Sequence, residues 1–384
     1  MLSFLSSRKS IVVGILLLGL SACVAPYEGN FVTDAVLLVV DGTVTDLPEK
    51  QVVKIARAQL FNGIPATIPV EGARAEILVN GQTLIALREG TVKGQYEAPD
   101  DFRGKVGSSY QLRFQIGSQS YESSVEVMPG VPPIGKVYDR FDAAGVVNIE
   151  KTRALPANLI YIDFQDRADA RNFYRWNWTL WEQQTWCATC QQGIYNLSAN
   201  ALSGSCQTTR SLLPSNLYDY NCLGSCWEII RNLDVNLFDD AYSKGRPVVG
   251  RLVATIPYYQ NLGALIEIRQ SSLSREAYRY FKLLQDQSQN TGGLADTPPA
   301  PLLGNVRNRT DEQDKVTGYF GASSVASVRY WLDRQNVSGL PINLFVGLNN
   351  RPANPEPPSA LRPPTAVCVP GEGRTPFKPV GWPK

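Results

Sequence analysis

Two short stretches, residues 185–193 (TWCATCQQG) and 221–228 (NCLGSCWE), carry Cys187, Cys190, Cys222 and Cys226. Cys206 lies between them and Cys368 near the end of the chain. A C-x2-C followed by a C-x3-C suits either a zinc site or a disulfide framework, and the two impose different folds. The N-terminus decides between them. Arg8 and Lys9 precede an apolar run over residues 11–20. That run is too short to span a bilayer, which takes about 20 residues, but it matches the core of a secretory signal. It ends in Leu20-Ser21-Ala22-Cys23, a lipobox pattern in which small residues admit the signal peptidase and the cysteine becomes the first mature residue. Residues 1–22 are therefore read as a lipoprotein signal peptide. Cys23 is the lipid attachment site, carrying diacylglycerol and an N-acyl chain, and residues 23–35 are a tether. Two or more acyl chains give stable anchoring where one gives only marginal binding.

Export fixes the cysteine chemistry. Six cysteines remain after Cys23, an even number in an oxidising compartment, and the chain has no His. A zinc site with a His ligand is excluded by composition, and a four-Cys site would compete with oxidation. A catalytic dithiol wants a βα context after Cys187, but the chain runs into Gln191-Gln192-Gly193 instead. The expectation is three disulfides among Cys187, Cys190, Cys206, Cys222, Cys226 and Cys368, with the pairing open. The remote Cys368 should pin the tail to the body of the protein.

Lys and Arg number 37 against 35 Asp and Glu, and no basic cluster is interleaved with aromatics, so nucleic acid is not an expected partner. With 31 Gly, 26 Pro and 17 Tyr the chain reads as turn-rich and β-rich. Residues 36–40 (VLLVV) form a buried-strand signal. Asn80-Gly81, between two apolar-patterned arms, predicts a type I′ hairpin. Tyr110, Leu112, Phe114 and Ile116 alternate on one arm of a second hairpin, and Tyr121, Ser123, Val125 and Val127 on the other. Together these predict an immunoglobulin-like β-sandwich over residues 36–130, ending at the Pro/Gly-rich residues 128–135.

A second β-rich, sandwich-like domain is expected over residues 131–351. In it Tyr174, Trp176, Trp178 and Leu180 share one face of a strand, with Arg175, Asn177 and Thr179 opposite. A sugar-stacking role competes with a plain aromatic core, and the alternation favours the core. Trp181 and Trp186 fall outside that set and are the expected exposed contact aromatics. Residues 187–226 lack apolar periodicity and read as an insertion of disulfide-stapled loops, either a binding surface or decoration. One amphipathic helix is expected at about 272–289, capped by Ser272 or Ser274 and stopped at Thr291-Gly292-Gly293. Its apolar stripe is Leu273, Ala277, Tyr280, Phe281 and Leu284. Ala326, Val328, Tyr330 and Leu332 mark a further strand. Ten prolines from Pro352 onward make residues 352–384 an extended tail.

Several stretches resemble the domain-of-unknown-function 4249 lipoproteins of Bacteroidota. They are SLSREAY at 272–278, Gly304-Asn305-Val306 and GYFGAS at 318–323, together with LLVVDGTVTD, VEGARAEI, CWE at 226–228 and the final KPVGWP. The resemblance implies an outer-membrane lipoprotein beside a TonB-dependent, SusC-like barrel, acting as a surface accessory subunit in the manner of SusD-like lids. The family's tail often carries a pair of cysteines where this chain has only Cys368, so the 187–206 cysteines read as its own addition.

Three function classes follow. The first is a non-enzymatic accessory subunit of a TonB-dependent transporter, capturing nutrient at the cell surface. The second is a structural or assembly subunit of another outer-membrane complex with no small ligand. The third is a hydrolase, and it is the weakest. Without His, neither Ser-His-Asp nor Cys-His catalysis can be built within the chain, and no carboxylate pair announces itself. No metal and no cofactor beyond the covalent lipid is expected.

Overall fold

The computed structural model describes residues 36–383 except 62–63, 149–151, 199, 201, 290–301 and 359–363. The signal region, Cys23, the tether and the predicted helix stop at 291–293 lie outside the described residues.

The chain is mainly β, as its alternation predicts. In the first sheet the strand Ser109–Ile116 buries Tyr110, Leu112 and Phe114 and turns Gln111 and Arg113 away. Phe114 stacks on Tyr121 of the neighbouring strand at 4.7 Å between ring centroids. Asn80 and Gly81 both adopt positive φ, 51° and 68°, the left-handed pair a type I′ hairpin needs. The strand order is Val306–Asn308, Gln119–Ser123, Ser109–Ile116, Arg74–Val79, Thr83–Glu89, Gln95–Glu97, Val52–Phe61, Leu37–Thr45, Val316–Ser323.

The first and last of those strands come from far beyond residue 130, so the expected boundary there divides the sequence but not the core. Val306, Val316, Phe320 and Ala322 belong to the first core cluster. Val316–Ser323 runs parallel to Leu37–Thr45 and closes its free edge. Parallel neighbours need a long crossover, and here the rest of the first sheet and most of the second unit lie between the two strands. The same returning strand explains two glycines of the 304–323 motifs. A Cβ on Gly318, at φ +88°, would meet the Val40 carbonyl oxygen at 2.0 Å, and one on Gly304 would meet the Gly318 oxygen at 1.9 Å. Only glycine lets these backbones approach so closely.

The second unit is sandwich-like. Ile134–Val147, Ala154–Gln165 and Pro247–Pro257 make one sheet. The other is built on Val325–Leu332, Ala264–Leu273, Phe173–Gln183 and Trp227–Arg231, with Arg374–Thr375 from the tail at its edge. Ile160, Ile162 and Phe164 of the first pack on Tyr174, Trp176, Leu180, Ile266 and Ile268 of the second. Trp176 is fully buried and its indole N–H donates to Gln270 Oε1 at 3.0 Å. The Trp-rich strand is thus a core strand.

The helix Arg275–Gln289 forms where its stripe predicts. Ser274 Oγ accepts from the Ala277 amide at 3.1 Å and so caps it. Ala277, Tyr278, Tyr280 and Phe281 pack on Phe173, Leu273 and Tyr319. The helix therefore lies over the junction, with Phe173 from one sheet and Tyr319 from the other beneath it.

At that junction the chain switches sheets between Ser323 and Val325. Asp46 accepts from Ser324 Oγ and the Val325 amide at 2.5 and 2.8 Å. Buried Glu126 accepts from Tyr319 Oη at 2.8 Å and Ser274 Oγ at 2.6 Å. Asp46 lies just past Thr45, so the second unit docks where the first strand ends. The described chain enters that strand from the opposite end, so Val36 and the second unit lie at opposite ends of the first sandwich.

Candidate functional site

Two features stand apart from the cores: a disulfide-stapled face strapped by the tail, and a cleft beside the helix. Residues 187–226 are not plain loops. Trp186–Gln191 pairs with Leu217–Cys222, and Gly193–Leu197 with Gly204–Thr208, giving small sheets too short to bury a conventional core. Disulfides substitute for that core. Cys187 joins Cys222, Cys190 joins Cys206, and Cys226 joins Cys368. Cys190, Cys226, Tyr195, Tyr220 and Ala366 fill the small interior around them. The sulfurs of Cys187, Cys226 and Cys368 lie within 4.8 Å of one another. Each is bonded in a disulfide, so none offers the thiolate a zinc ion takes.

The tail crosses this unit and stays on it. Cys368 fixes it to Cys226, as its remote position predicts. Pro355 bridges to Asp219, Thr365–Ala366 pairs with Asn221 and Cys222, and Arg374–Thr375 pairs with Trp227 and Glu228. Arg374 donates to Glu228 Oε2 at 3.0 Å and to the Cys187 carbonyl at 2.8 Å. Near the C-terminus Trp382 stands edge-on between Trp227 and Trp331, at 5.8 and 4.9 Å.

Two ion pairs lock the strap and its support. Asp219 is buried and receives a bidentate fork from Arg351, at 2.7 and 2.8 Å, with the Asn354 amide and Thr189 Oγ1 completing its shell. Burial pushes the Asp219 carboxyl up. The bonds from Arg351, the Asn354 amide and Thr189 outweigh that and hold it below the ordinary aspartate range. Glu182 and Arg334 are both completely buried and paired side by side. Gln260 Nε2 donates to Glu182 at 2.7 Å, and Arg334 also donates to the Leu262 carbonyl at 2.7 Å. Nothing in local periodicity could have announced this pair, because its members are 152 residues apart.

Trp181 and Trp186 are half-buried. Trp181 lies under Arg329, 5.7 Å from its ring centroid, and Trp186 packs on Phe345 at 5.8 Å. Trp186 thus wedges the stapled unit against the short helix Leu344–Asn349. The exposed apolar side chains of this region are others: Leu202, Leu213, Leu223, Phe377 and Val380.

The cleft, of about 650 Å³, opens between the helix Arg275–Gln289 and the first sandwich. Arg279, Arg307 and Arg309 line it with Glu122, Glu276 and Tyr280. Arg309 pairs with Glu122 at 3.3 Å. Leu283, Leu303 and Tyr319 line it as well, so its walls are mixed, with charged heads beside apolar surface.

The architecture is that of a two-unit β protein whose first sheet is completed by a returning C-terminal strand and whose second unit carries a disulfide-stapled face. The family model described as a domain of unknown function, DUF4249, matches residues 24–329, and the chain belongs to that family. The matched span covers both units and stops short of Arg334, Cys368 and the strap. No curated protein matches the chain. Among the described residues no helix is long and apolar enough to cross a membrane.

Proposed function

We propose that this chain is a non-enzymatic accessory subunit of an outer-membrane complex built on a TonB-dependent, SusC-like barrel. It is held at the cell surface by lipid on Cys23 and helps to capture a nutrient. The observation that carries this reading is the stapled face. Three disulfides and a tail attached at Pro355, Thr365–Ala366 and Arg374–Thr375 hold rigid a surface that neither core requires, with Leu213 and Phe377 left in solvent. Rigid display of exposed apolar groups is what a docking surface needs, because little side-chain and loop freedom is then lost on binding. Arg279, Arg307 and Arg309 in the cleft support capture of a ligand with polar or anionic groups over pure scaffolding. The absence of His removes the commonest general base and turns the argument from chemistry to contact.

The test is an affinity-tagged chromosomal copy, extracted in mild detergent and sized. Co-elution with a barrel protein at near-equal stoichiometry is expected. A monodisperse monomer that retains no barrel, even after crosslinking in cells, overturns the proposal.

A further inference from the structure

One exposed apolar cluster belongs to neither the stapled face nor the cleft. The strands Val52–Phe61 and Ile64–Pro69 form a hairpin that runs out beyond the first core. Val53 and Ile55 bury one face of its first strand. By period two that same face carries Phe61 outward, and Ile64 stands opposite Phe61 in register. There is no core left to receive them: Phe61 is 65 % exposed and Ile64 is 69 % exposed. Leu60 points to the other face and is exposed as well. The outermost described residues of these two strands, Leu60, Phe61 and Ile64, are therefore apolar on both faces.

Its position follows from register. Leu37, at the start of the first strand, pairs with Ala58. The two strands are antiparallel, so Gln59, Leu60 and Phe61 overhang the point where the chain enters from the tether. The overhang is about 10 Å at about 3.3 Å per residue. The exposed Val36 and Leu37 lie at the same end. The hairpin thus points away from the second unit, at the end where the described chain begins. The 13 residues between Cys23 and Leu37 span at most about 45 Å, enough to bring the overhang down to the lipid.

We propose that this hairpin end inserts into the interfacial layer of the bilayer to which Cys23 is acylated, a second membrane contact that sets how the protein stands on the surface. The inference rests on the lipid-anchor reading given above. A protein groove or a partner sheet would cover one face of the hairpin, whereas lipid covers both. The depth is bounded by the backbone. Ile64–Pro69 pairs only with Val52–Phe61, so its outer edge is free. Unpaired backbone groups cannot enter the hydrocarbon core. Pro65 and Pro69 carry no amide donor and lighten that edge, so the end can sit among headgroups and first methylenes while the rest stays in water.

The experiment uses the full acylated chain reconstituted in phosphatidylcholine–phosphatidylglycerol vesicles, with and without bromine on the acyl chains. Phe61→Trp places a reporter at the hairpin end. Leu84→Trp places one at an exposed site that register puts at the opposite end of the sheet. Neither position touches a core. The added emission of the Phe61→Trp variant should shift to the blue and lose most of its intensity to bromolipid, while that of Leu84→Trp stays unchanged. Vesicle flotation and intact mass of the unsubstituted chain are read in parallel. If the chain carries acyl mass and floats but the Phe61→Trp emission is unquenched, the insertion is wrong and the anchor stands. If the chain carries no lipid and fails to float, the anchor reading fails and the insertion with it. Quenching at both positions reports non-specific adsorption and also overturns the proposal.

Discussion

Removing the Cys226–Cys368 bridge should cost more than removing either of the others, and should free the strap first. The perturbation is the paired change Cys226→Ala/Cys368→Ala. Alanine avoids placing a hydroxyl where Cys226 is fully buried. The bridge closes a separation of 142 residues, against 35 for Cys187–Cys222 and 16 for Cys190–Cys206. On the chain-entropy account the stabilisation grows with the logarithm of loop length. It gives about 5 kcal/mol for the longest loop, about 4 for the middle one and about 3 for the shortest. The assay is equilibrium urea unfolding of the three paired variants, each retaining its other two bridges. Limited proteolysis run alongside should cut the Cys226→Ala/Cys368→Ala variant between residues 369 and 384 at denaturant levels where the parent stays whole. The reasoning is refuted if this variant loses no more stability than Cys190→Ala/Cys206→Ala, or if its strap stays as resistant as the parent's.

Arg334→Met should cost about 3–5 kcal/mol, because it leaves the fully buried Glu182 carboxyl without its partner. Glu182→Leu/Arg334→Met should recover most of that loss, as read by the same urea titration. Acid should loosen the strap at Asp219. Its carboxyl titrates lower in the fold than in the unfolded chain, so its contribution is whole above about pH 4. That contribution fades as the pH falls through the depressed native value. Acid-active protease should therefore release the segment around 351–358 faster at pH 2–3 than at pH 5 when rates are compared with Asp219→Asn, whose release should be fast at both.

Much of the first sandwich was legible because one face of its strands is buried and one is wet. Tyr110, Leu112 and Phe114 advertise a strand directly, and Asn80-Gly81 advertises its turn. The helix was legible for the same kind of reason, since Ala277, Tyr280 and Phe281 fall at helical spacing behind a serine cap. The return of Val316–Ser323 to the first sheet was not. Its apolar pattern fits any sheet, and its parallel partner lies some 280 residues earlier. The small sheets of 187–222 were also hidden, because disulfides carry the burial that periodicity would otherwise betray. The even cysteine count and the export reading foretold that the cysteines are bridged, and the isolation of Cys368 foretold a pinned tail. The choice among pairings depends on strand register, which spacing does not encode. The cleft escaped notice because Arg279, Arg307 and Arg309 are ordinary surface residues until helix and sheet edge meet.

The central claim, that the stapled face is where this subunit meets its barrel, is tested most directly by site-specific photo-crosslinking in living cells. A photoreactive phenylalanine analogue is placed at Leu213 or at Phe377, both exposed in the stapled region, and at Leu84 on the first sandwich as a comparison. The account predicts a single barrel-sized adduct from Leu213 or Phe377 and none from Leu84. Adducts from Leu84 alone, or none from any of the three in cells that express the chain fully, would contradict it.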